Sequence, residues 1–326
     1  MKVVIVTDTH FHDYSLFRKE INGQGSRLKE HFDAMRSVFL FCHDHNIPEL
    51  WNLGDVFHTR DIINVRVYNG VYDLFKEGAS MTKIKLLVGT HDLCLRGGDN
   101  SLRLLSEVVE VKYSEAELID NVLVVWGAWN VSLEVIEALV KSIPPGKYKK
   151  KILLAHMGIE GAEVRGGFKP AEEIKLADIK KMGFDLVLLG HYHKRQYLAN
   201  NILYVGALCH HTFREAGYED GFIVLDLDNL SLKSWGIDSP KFLTVDKVED
   251  VPAEGRYYLK TKKPYKILPN NILGCLVEED VAIKEKNKAR LTSDMTEEEM
   301  IEKYVKKQDT QLDKKKLIEI GKKLIK

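Results

Sequence analysis

The stretch Trp51-Asn52-Leu53-Gly54-Asp55-Val56-Phe57-His58 carries the strongest signal in this sequence. It has the pattern of a buried strand, residues 47–53, that a glycine interrupts. Gly54 lets the backbone turn sharply and leaves the Asp55 carboxylate at the carboxyl end of the strand. A Gly-Asp pair alone is typical of any turn, so the interpretation of Asp55 depends on the residues that the rest of the chain brings to it.

Four other apolar runs also end in residues that can bind metals. They lead into Asp8-Thr9-His10, Gly89-Thr90-His91-Asp92, His156 and Gly190-His191-Tyr192-His193. Asp8 and His10 are two positions apart, as are His191 and His193, and residues at that spacing on an extended chain point to the same side. Each piece alone is more typical of a turn or a structural histidine. Their joint occurrence at strand ends predicts one common site.

The residue types in this set predict a centre for two metal ions. Two aspartates and four histidines at one sheet edge would be unfavourable without cations, because buried carboxylates have to be paired or coordinated. Asp55 is second in the order, where one carboxylate could bridge two ions. Mixed imidazole and carboxylate ligands suit manganese, iron or zinc better than magnesium or calcium, which prefer oxygen ligands.

Composition indicates a globular protein with an uneven distribution of charge. The chain has 326 residues, 44% hydrophobic and 29% charged, and a formal net charge of zero. Residues 241–326 hold 20 Lys and Arg against 16 Asp and Glu, whereas residues 1–240 hold 28 against 32. A slightly acidic large part followed by a basic small part fits a carboxylate-lined metal site and a segment that could meet phosphates.

The cellular compartment is predicted from cysteines and hydropathy. Cys42, Cys94, Cys209 and Cys275 are far apart and form no paired spacing, which is typical of reduced thiols. No apolar run approaches the roughly 18 residues that a membrane span needs. We therefore expect an intracellular, cytoplasmic protein with no membrane partner.

Periodicity predicts an α/β (α+β) fold in which two sheets pack together with helices outside. Apolar residues recur at helical spacing in residues 28–45 and 59–76, and residues 11–29 are predicted to form a loop at the mouth of the site. His31, His43 and His45, on or beside the first helix, are more typical of surface or capping histidines than of ligands. Strands are predicted at residues 1–6, 47–53, 84–88, 122–126, 151–155, 186–189, 202–205, 222–227, 232–237 and 241–246.

Taken together, these motifs resemble those of the calcineurin-like metallophosphoesterases over residues 1–240. Further stretches resemble the SbcD or Mre-type (meiotic recombination) DNA repair nuclease subunits, and the compact tail is most similar to phage recombination endonuclease subunits. These stretches are Asp55-Val56-Phe57-His58, Tyr204-Val205-Gly206-Ala207, Thr212-Phe213-Arg214-Glu215 and Gly221-Phe222-Ile223-Val224-Leu225-Asp226. The resemblance implies a four-layer fold, in which a two-sheet β-sandwich is flanked by helices, with a small C-terminal cap and a helical tail. If a phage encodes the protein, the expected location is the host cytoplasm.

The resemblance also implies a role for each matching residue. Asp8, His10, Asp55 and His193 would hold one metal ion, and Asp55, His156 and His191 the other. Thr90 stands where the family has an asparagine ligand, and a hydroxyl is a shorter and weaker donor than an amide oxygen. His91 would be the general acid or phosphate contact, supported by Asp92, and His58 would help to position the nucleic-acid backbone.

Residues 256–266 are basic and rich in tyrosine, with no acidic residue. An edge strand made soluble by lysines accounts for this composition as well as a phosphate-binding surface does. The resemblance favours a small DNA-contacting cap at residues 241–290. The side chains expected to contact DNA are Arg256, Lys260, Lys262, Lys263 and Lys266.

The tail, residues 291–326, is predicted to form two short amphipathic helices after a lysine-rich linker at residues 284–294. The first starts at a capping box near Thr296 and the second near Asp313. Two such helices cannot form a core alone and must pack on the main body or on another chain. The resemblance implies that residues 295–326 bind an SbcC-type, SMC-like ATPase. It also implies a possible homodimer through the helices of residues 28–45 and 62–77.

The sequence thus predicts a manganese-dependent DNA exonuclease or endonuclease that hydrolyses phosphodiesters with two metal ions and works with an ATPase in recombination or double-strand-break repair. Mg²⁺, Fe²⁺ and Zn²⁺ are alternative metals. Two other functions stay open. One is a phosphomonoesterase or small-molecule phosphodiesterase on the same scaffold, and the other is a DNA-binding scaffold whose second metal site is weakened by Thr90.

Overall fold

A computed structural model describes residues 1–94, 98–164, 174–277, 301–302, 305 and 313–324. The chain divides into two compact units. One comprises Met1–Thr261 and Tyr265–Leu276, and the other Lys262–Pro264 and Val277–Lys326. The predicted domain boundaries at residues 240 and 290 stay a prediction. No helix in the described ranges combines the length and apolar character needed to cross a membrane.

The first unit contains two six-stranded sheets. In spatial order the first sheet consists of β14 (Ser231–Trp235), β13 (Phe222–Asp226), β1 (Lys2–Val6), β4 (Glu49–Asn52), β5 (Lys83–Leu87) and β6 (Glu110–Lys112). Strands β1, β4, β5 and β6 are parallel, and β13 and β14 continue the sheet antiparallel. The carboxyl ends of β1, β4 and β5 therefore lie side by side at one edge.

The second sheet also has six strands and is mainly parallel. It consists of β11 (Gln196–Ala199), β12 (Ile202–Tyr204), β10 (Leu186–Gly190), β9 (Lys150–His156), β8 (Val122–Gly127) and β7 (Ser114–Ile119). The four central strands are parallel and the two edge strands antiparallel. His156 pairs with Gly190 at the carboxyl ends of β9 and β10, which places these ends at a common edge.

The two sheets pack face to face. Along β9, Ile152 and Leu154 contribute to the core between the sheets, whereas Leu153 and Ala155 belong to a second apolar cluster on the other face. This alternation follows from the two-residue period of a strand. The helices are α1 (Ser26–Asp44), α2 (Val65–Ala79), α3 (Leu133–Ser142) and α4 (Leu176–Lys181). The predicted two-sheet α/β architecture with flanking helices is confirmed.

Several predicted boundaries were wrong. Helix α2 begins at Val65 rather than at residue 59, because the Asn64 side chain accepts a hydrogen bond from the Arg66 amide and caps the helix there. The predicted loop at residues 11–29 contains the hairpin of β2 (Glu20–Ile21) and β3 (Gln24–Gly25) and the start of α1. Helices α3 and α4 and strands β6, β7 and β11 were not predicted.

Strand β15 (Lys241–Thr244) begins a three-stranded sheet with β16 (Tyr257–Thr261) and β17 (Ile272–Val277). Arg27 of α1 contacts this sheet, with its guanidinium 4.9 Å from the centre of the Phe242 ring and 4.6 Å from that of Tyr258. In the tail, α5 (Lys314–Leu324) matches the second predicted helix. The predicted linker at residues 284–294 and the predicted helix start at Thr296 lie outside the described residues.

Candidate metal centre

The predicted metal-binding residues meet where the carboxyl ends of the two sheets face each other. Asp8 and His10 follow β1, Asp55 follows β4, and Thr90 and His91 follow β5. His156 ends β9, and His191 and His193 follow β10. Because parallel strands end at the same edge of a sheet, the five separated motifs converge on one place. Neither sheet alone supplies the full set.

Two glycines let the strand ends approach this closely. A Cβ atom on Gly54 would lie 2.5 Å from Nδ1 of His156, and one on Gly89 would lie 2.3 Å from the backbone nitrogen of Asp55. Gly54 also has a φ of +104°, a conformation that side chains disfavour. Asp8, His10 and Asp55 themselves have positive φ values of 42° to 55°. Such backbone strain is typical of functional sites, where the surrounding packing maintains it.

The first group of ligand atoms comes from Asp8, His10 and His193. The Nε2 atoms of His10 and His193 lie 3.1 Å apart. Each of these nitrogens is 3.8 Å from Oδ1 of Asp8. Donor atoms that share one ion at bond lengths of about 2.0–2.2 Å lie roughly 3–3.6 Å apart. The spacing of this group is close to that expected for one ion.

The second group comes from Asp55, His156 and His191. Nε2 of His156 lies 3.3 Å from Oδ1 of Asp55, is fully buried and has no hydrogen-bond partner among the described residues. Its Nδ1 donates to the carbonyl oxygen of Leu53, so Nε2 carries the lone pair when the ring is neutral. Thr90 lies beside this group, with its hydroxyl 3.3 Å from Nδ1 of His191.

Asp55 lies between the two groups. Its Oδ1 faces His156, whereas its Oδ2 is 3.6 Å from Nε2 of His10 in the first group. The backbone N–H of His91 donates to Oδ1 at 2.7 Å and fixes the carboxylate. One oxygen toward each group is the arrangement that a bridging ligand requires.

The electrostatics of the site favour bound cations. Burial raises the pKa of Asp8, and it would raise that of Asp55, but the neighbouring His156 and His91 lower the pKa of Asp55 to about 2. Burial lowers the pKa of His10, and burial together with His156 lowers that of His191 to about 3. Burial lowers the pKa of His156 and His193 less than neighbouring carboxylates raise it, so Asp55 brings the pKa of His156 to about 9 and Glu215 with Asp8 raises that of His193. Protons on these two rings thus compensate the buried carboxylates in the ion-free protein, and divalent ions can replace those protons. The donor atoms and the buried negative charge of these residues therefore fit two divalent ions.

Asp92 has a different place from the one predicted. Its carboxylate accepts hydrogen bonds from the backbone N–H groups of Asp55, Val56, Phe57 and Gly89. The ring of His91 instead pairs through Nδ1 with the carbonyl oxygen of His58. Burial and the charge of Asp55 raise the pKa of Asp92 to about 7. Asp92 thus holds the turn that presents Asp55 and does not orient the His91 ring.

His58 and His91 lie beside the ligand groups on the open side. Their rings stack with centres 5.7 Å apart, and the centre of the His91 ring is 4.8 Å from that of His10. Burial and the neighbouring His12 lower the pKa of His58 to about 4. Both side chains line a cavity of about 720 Å³ together with His10, Asp55, His191 and His193.

The cavity rim differs from the predicted DNA-contacting surface. Its basic lining residues are Lys194 and Arg214, neither of which was predicted. Arg256, Lys260 and Lys266, which belong to the same unit, do not line the cavity. Arg256 contacts Asp238, and Lys262, Lys263 and Lys266 are exposed to solvent. Tyr257 and Tyr258 are buried and therefore cannot stack on bases.

Two further residues at the centre were not predicted as site residues. Glu215 is buried, and its Oε1 pairs with Nδ1 of His193 at 2.9 Å. Its Oε2 accepts from the backbone and hydroxyl of Thr212 in a capping box, so the Thr-x-x-Glu spacing was the available signal. His31 was expected at the surface but is buried, with Nδ1 bonded to the carbonyl of Thr9.

Two buried ligand groups that share one carboxylate form a candidate two-metal centre, of the kind that phosphoester hydrolases use. A family model described as calcineurin-like phosphoesterase matches residues 1–195. The chain belongs to this family, and membership implies phosphoester hydrolysis that depends on divalent metal ions. The predicted family resemblance is therefore confirmed.

Other comparisons show what the chain is similar to. The SbcD component of the SbcCD nuclease from Staphylococcus epidermidis is 30% identical over 105 residues, which cover 30% of this chain and 27% of that protein. The chain thus spans about a quarter of the length of this curated relative. Two similar solved structures are an archaeal phosphodiesterase (16% identity, TM-score 0.36) and a dimetal phosphatase from Danio rerio (11%, TM-score 0.44). Each covers 72% of this chain, and the matches span 99% and 96% of those structures.

Proposed function

We propose that this protein is a DNA nuclease that hydrolyses phosphodiester bonds with two divalent metal ions, most favourably Mn²⁺. The observation that carries the proposal is the Asp55 carboxylate, which turns one oxygen to each ligand group at the floor of an open cavity. The relative that is itself a nuclease component supports DNA as the substrate class. Imidazole and carboxylate donors support Mn²⁺ over Mg²⁺.

The residues of the chain have separate tasks in this proposal. Asp8, His10, Asp55 and His193 would hold one ion, and Asp55, His156 and His191 the other, with Thr90 as a weak donor at the second. When bound, such ions make a nucleophile available near neutral pH and neutralise the phosphoryl oxygens. The protein's own contribution is to orient the phosphate so that the attacking and leaving oxygens are in line with the phosphorus, and to disfavour other orientations of the substrate.

His91 is proposed to be the general acid. Its Nδ1 pairs with the carbonyl of His58, which can only accept, so Nδ1 carries a proton and Nε2 is the atom that can deliver one to the leaving sugar oxygen. His58 stacks beside it and would contact the phosphate backbone. Arg214, exposed at the cavity rim, offers an additional positive charge to the strand.

The first experiment is digestion of linear double-stranded DNA by the wild-type protein and by the His91→Ala variant, with Mn²⁺, with Mg²⁺ and with chelator. We expect cleavage with Mn²⁺ that the variant loses by at least about a hundredfold, the usual size of a general-acid effect. An aryl phosphate assay runs in parallel. Turnover of the aryl phosphate without DNA cleavage would instead support a phosphomonoesterase or small-molecule phosphodiesterase.

Binding of DNA without cleavage, with only one tightly held ion, would support a non-catalytic scaffold.

The five basic residues proposed to contact DNA are tested by charge removal. Lys262→Ala and Lys263→Ala should weaken DNA binding and flatten its salt dependence, with Arg214→Ala as the comparison at the cavity rim. Unchanged DNA binding in the lysine variants would support the alternative that residues 256–266 form an edge strand made soluble by lysines.

The tail is proposed to bind an SbcC-type, SMC-like ATPase in the cytoplasm. Helix α5 supports this, because Ile320 is 56% exposed on an otherwise lysine-rich helix. Deleting residues 295–326 should abolish co-purification with the ATPase and leave metal binding intact. Co-purification that survives the deletion would contradict the assignment.

A homodimer through α1 and α2 stays a proposal. The exposed apolar side chains Ile62 and Val65 at the start of α2 support it. Light scattering of the wild-type protein and of a double variant, Ile62→Ser with Val65→Ser, tests it, and a monomeric wild type would contradict it.

A further inference from the structure

Behind the main metal centre, three side chains form a second, fully buried group of donors. His31, Cys209 and His211 each offer one ligand atom, and these atoms lie within 4.8 Å of one another. All three residues are at most 4% exposed. None of them belongs to the two ligand groups around Asp55.

The hydrogen bonds of the two histidines determine where their lone pairs are. Nδ1 of His31 pairs with the carbonyl oxygen of Thr9 at 3.3 Å, and Nε2 of His211 pairs with the carbonyl oxygen of Asp8 at 2.9 Å. A carbonyl oxygen only accepts, so each of these nitrogens carries the proton. In a neutral ring the other nitrogen carries the lone pair. The lone pairs are therefore on Nε2 of His31 and Nδ1 of His211.

Both of these lone-pair nitrogens are buried without a hydrogen-bond partner among the described residues. Leaving such an acceptor unpaired in a dry interior is unfavourable, because its hydration is lost without a replacement. The neighbouring His210 shows the contrast, because its Nε2 pairs with the Tyr218 carbonyl and its Nδ1 accepts from the Phe242 amide.

We infer that His31, Cys209 and His211 form a structural metal site for a thiophilic divalent cation, with Zn²⁺ the best match. Two imidazoles and one thiolate are typical zinc ligands, and a zinc-bound histidine commonly donates its other ring nitrogen to a backbone carbonyl. Donor atoms around zinc lie about 3.3–3.8 Å apart, so binding would close the group slightly. Binding releases the thiol proton of Cys209 to solvent.

The charge balance around the group is compatible with a cation. Arg27 faces it, but the Arg27 guanidinium is 2.6 Å from the Glu30 carboxylate and lies over the Tyr258 ring. Glu215 is also close enough to affect His31. A zinc thiolate adds one net positive charge beside these carboxylates.

The proposed site would act on the main centre through the backbone. The two carbonyls that His31 and His211 bind belong to Thr9 and Asp8, in the strained turn where Asp8 and His10 have positive φ values. A metal that fixes both rings would fix this turn and hence the first ligand group. The inference does not depend on DNA being the substrate.

The test uses the full chain, freed of metal and titrated with Co²⁺, which reports thiolate ligands through a charge-transfer absorption in the near ultraviolet. We expect this absorption in the wild type and in the Asp55→Asn variant, which lacks the bridging ligand of the main centre. The absorption should disappear in Cys209→Ala. It should persist in Cys42→Ala, the control, because the buried Cys42 thiol of the wild type is hydrogen-bonded to Thr82 and lies outside the group. In zinc-loaded Asp55→Asn we expect about one tightly held zinc per chain.

Absence of the absorption from the wild type, or its persistence in Cys209→Ala, would overturn the inference. If Cys209→Ala does not fold, a triple variant with Cys42, Cys94 and Cys275 changed to Ala leaves Cys209 as the remaining cysteine. Loss of the absorption in that folded variant also overturns it. A nuclease assay that fails while the absorption is present would count against the proposed function and not against the zinc site.

Discussion

At the residue scale, Thr90 is the position where this chain departs from the donor that its family resemblance implies. Its hydroxyl lies 3.3 Å from Nδ1 of His191, at the side of the second ligand group. A hydroxyl is a shorter and weaker neutral donor than an amide oxygen. The second ion should therefore bind more weakly than the first.

Replacing Thr90 with Asn should strengthen the second site. We expect the Thr90→Asn variant to bind its second Mn²⁺ about tenfold more tightly, a gain of roughly 1.4 kcal/mol, measured by isothermal titration calorimetry. Thr90→Val, which keeps the shape and removes the oxygen, is the matched control and should bind no more tightly than the wild type. Equal second-site affinity in all three proteins would mean that residue 90 is not a ligand.

Glu215 acts on the centre through His193, whose Nδ1 it holds at 2.9 Å. A carboxylate in this position orients the ring and increases its basicity as a ligand. Glu215→Gln keeps the size and the capping box but removes the charge, so we expect a 10–100-fold loss of metal affinity with little change in folding. The exposed Glu219→Gln is the control. Unaltered metal affinity in Glu215→Gln would limit Glu215 to capping its turn.

At the scale of the elements, a buried charge network ties the two sheets together. Lys85 of β5 is 1% exposed, and its ammonium lies 2.9 Å from Glu117 of β7 and 5.4 and 5.9 Å from the ring centres of Trp51 and Trp126. Glu117 also accepts a hydrogen bond from the Trp126 indole at 2.8 Å. Removing one member of such a network leaves the others unpaired in a poorly solvated place.

Glu117→Ala should therefore destabilise the fold by about 2–4 kcal/mol, measured by urea unfolding, because Lys85 and Trp126 both lose a partner. Glu49 stays 3.1 Å from Lys85 and limits the loss. Glu115 lies on the same strand, but its side chain is 45% exposed and pairs with Lys112 at 3.6 Å. Glu115→Ala should therefore cost less than about 1 kcal/mol. A similar cost for both variants would contradict the role of Glu117 as a link between the sheets.

The edge strand β6 adds a dependence on pH. Burial would raise the pKa of Glu110, but the ammonium groups of Lys112 and Lys83 outweigh burial and lower it. A carboxyl group with a lowered pKa in the folded state stabilises that state above its unfolded pKa, and the stabilisation is lost as pH falls through the folded pKa.

Wild type should thus be more stable than Glu110→Gln at pH 7, and the difference should shrink below about pH 4.5 as the carboxyl takes up its proton. Unfolding midpoints across this range measure the effect. A difference that stays constant with pH would exclude a charge effect of Glu110.

At the scale of the whole molecule, the metal ions should hold the two sheets together. Asp8 and Asp55 come from one sheet, and His156, His191 and His193 from the other, so bound ions join both. Without ions, the buried carboxylates of Asp8 and Asp55 lose the cations that would link them to the histidines of the other sheet. Removing the metals should loosen the structure as well as stop catalysis.

We expect chelation to lower the melting temperature of the wild type and added Mn²⁺ to restore it. An ion present at about a hundred times its dissociation constant contributes about 2.7 kcal/mol. Asp55→Asn should respond to Mn²⁺ much less, because it lacks the shared ligand. Identical responses in both proteins would place the stabilising metal elsewhere in the chain.

Much of the fold was accessible from sequence because buried strands and amphipathic helices impose their own periods. Strands such as β1 and β9 contain continuous apolar runs, and each run leads to a buried polar residue, Asp8 after β1 and His156 at the end of β9. The edge strands β6 and β7 were missed because charged residues interrupt their short apolar pattern. Helix α4 is too short for a period to be recognised.

The sequence by itself determined the family, the order of the strands that carry ligands and the identity of the residues brought together around Asp55. Only the tertiary structure decided the role of Asp92, the burial of His31, the carboxylate behind His193 and the basic residues at the cavity rim. Ligand motifs follow directly from strand ends, so local sequence encodes them. Hydrogen-bond partners and burial depend on residues far apart in the chain, as between His31 and His211, and their distances exist only once the two sheets have packed.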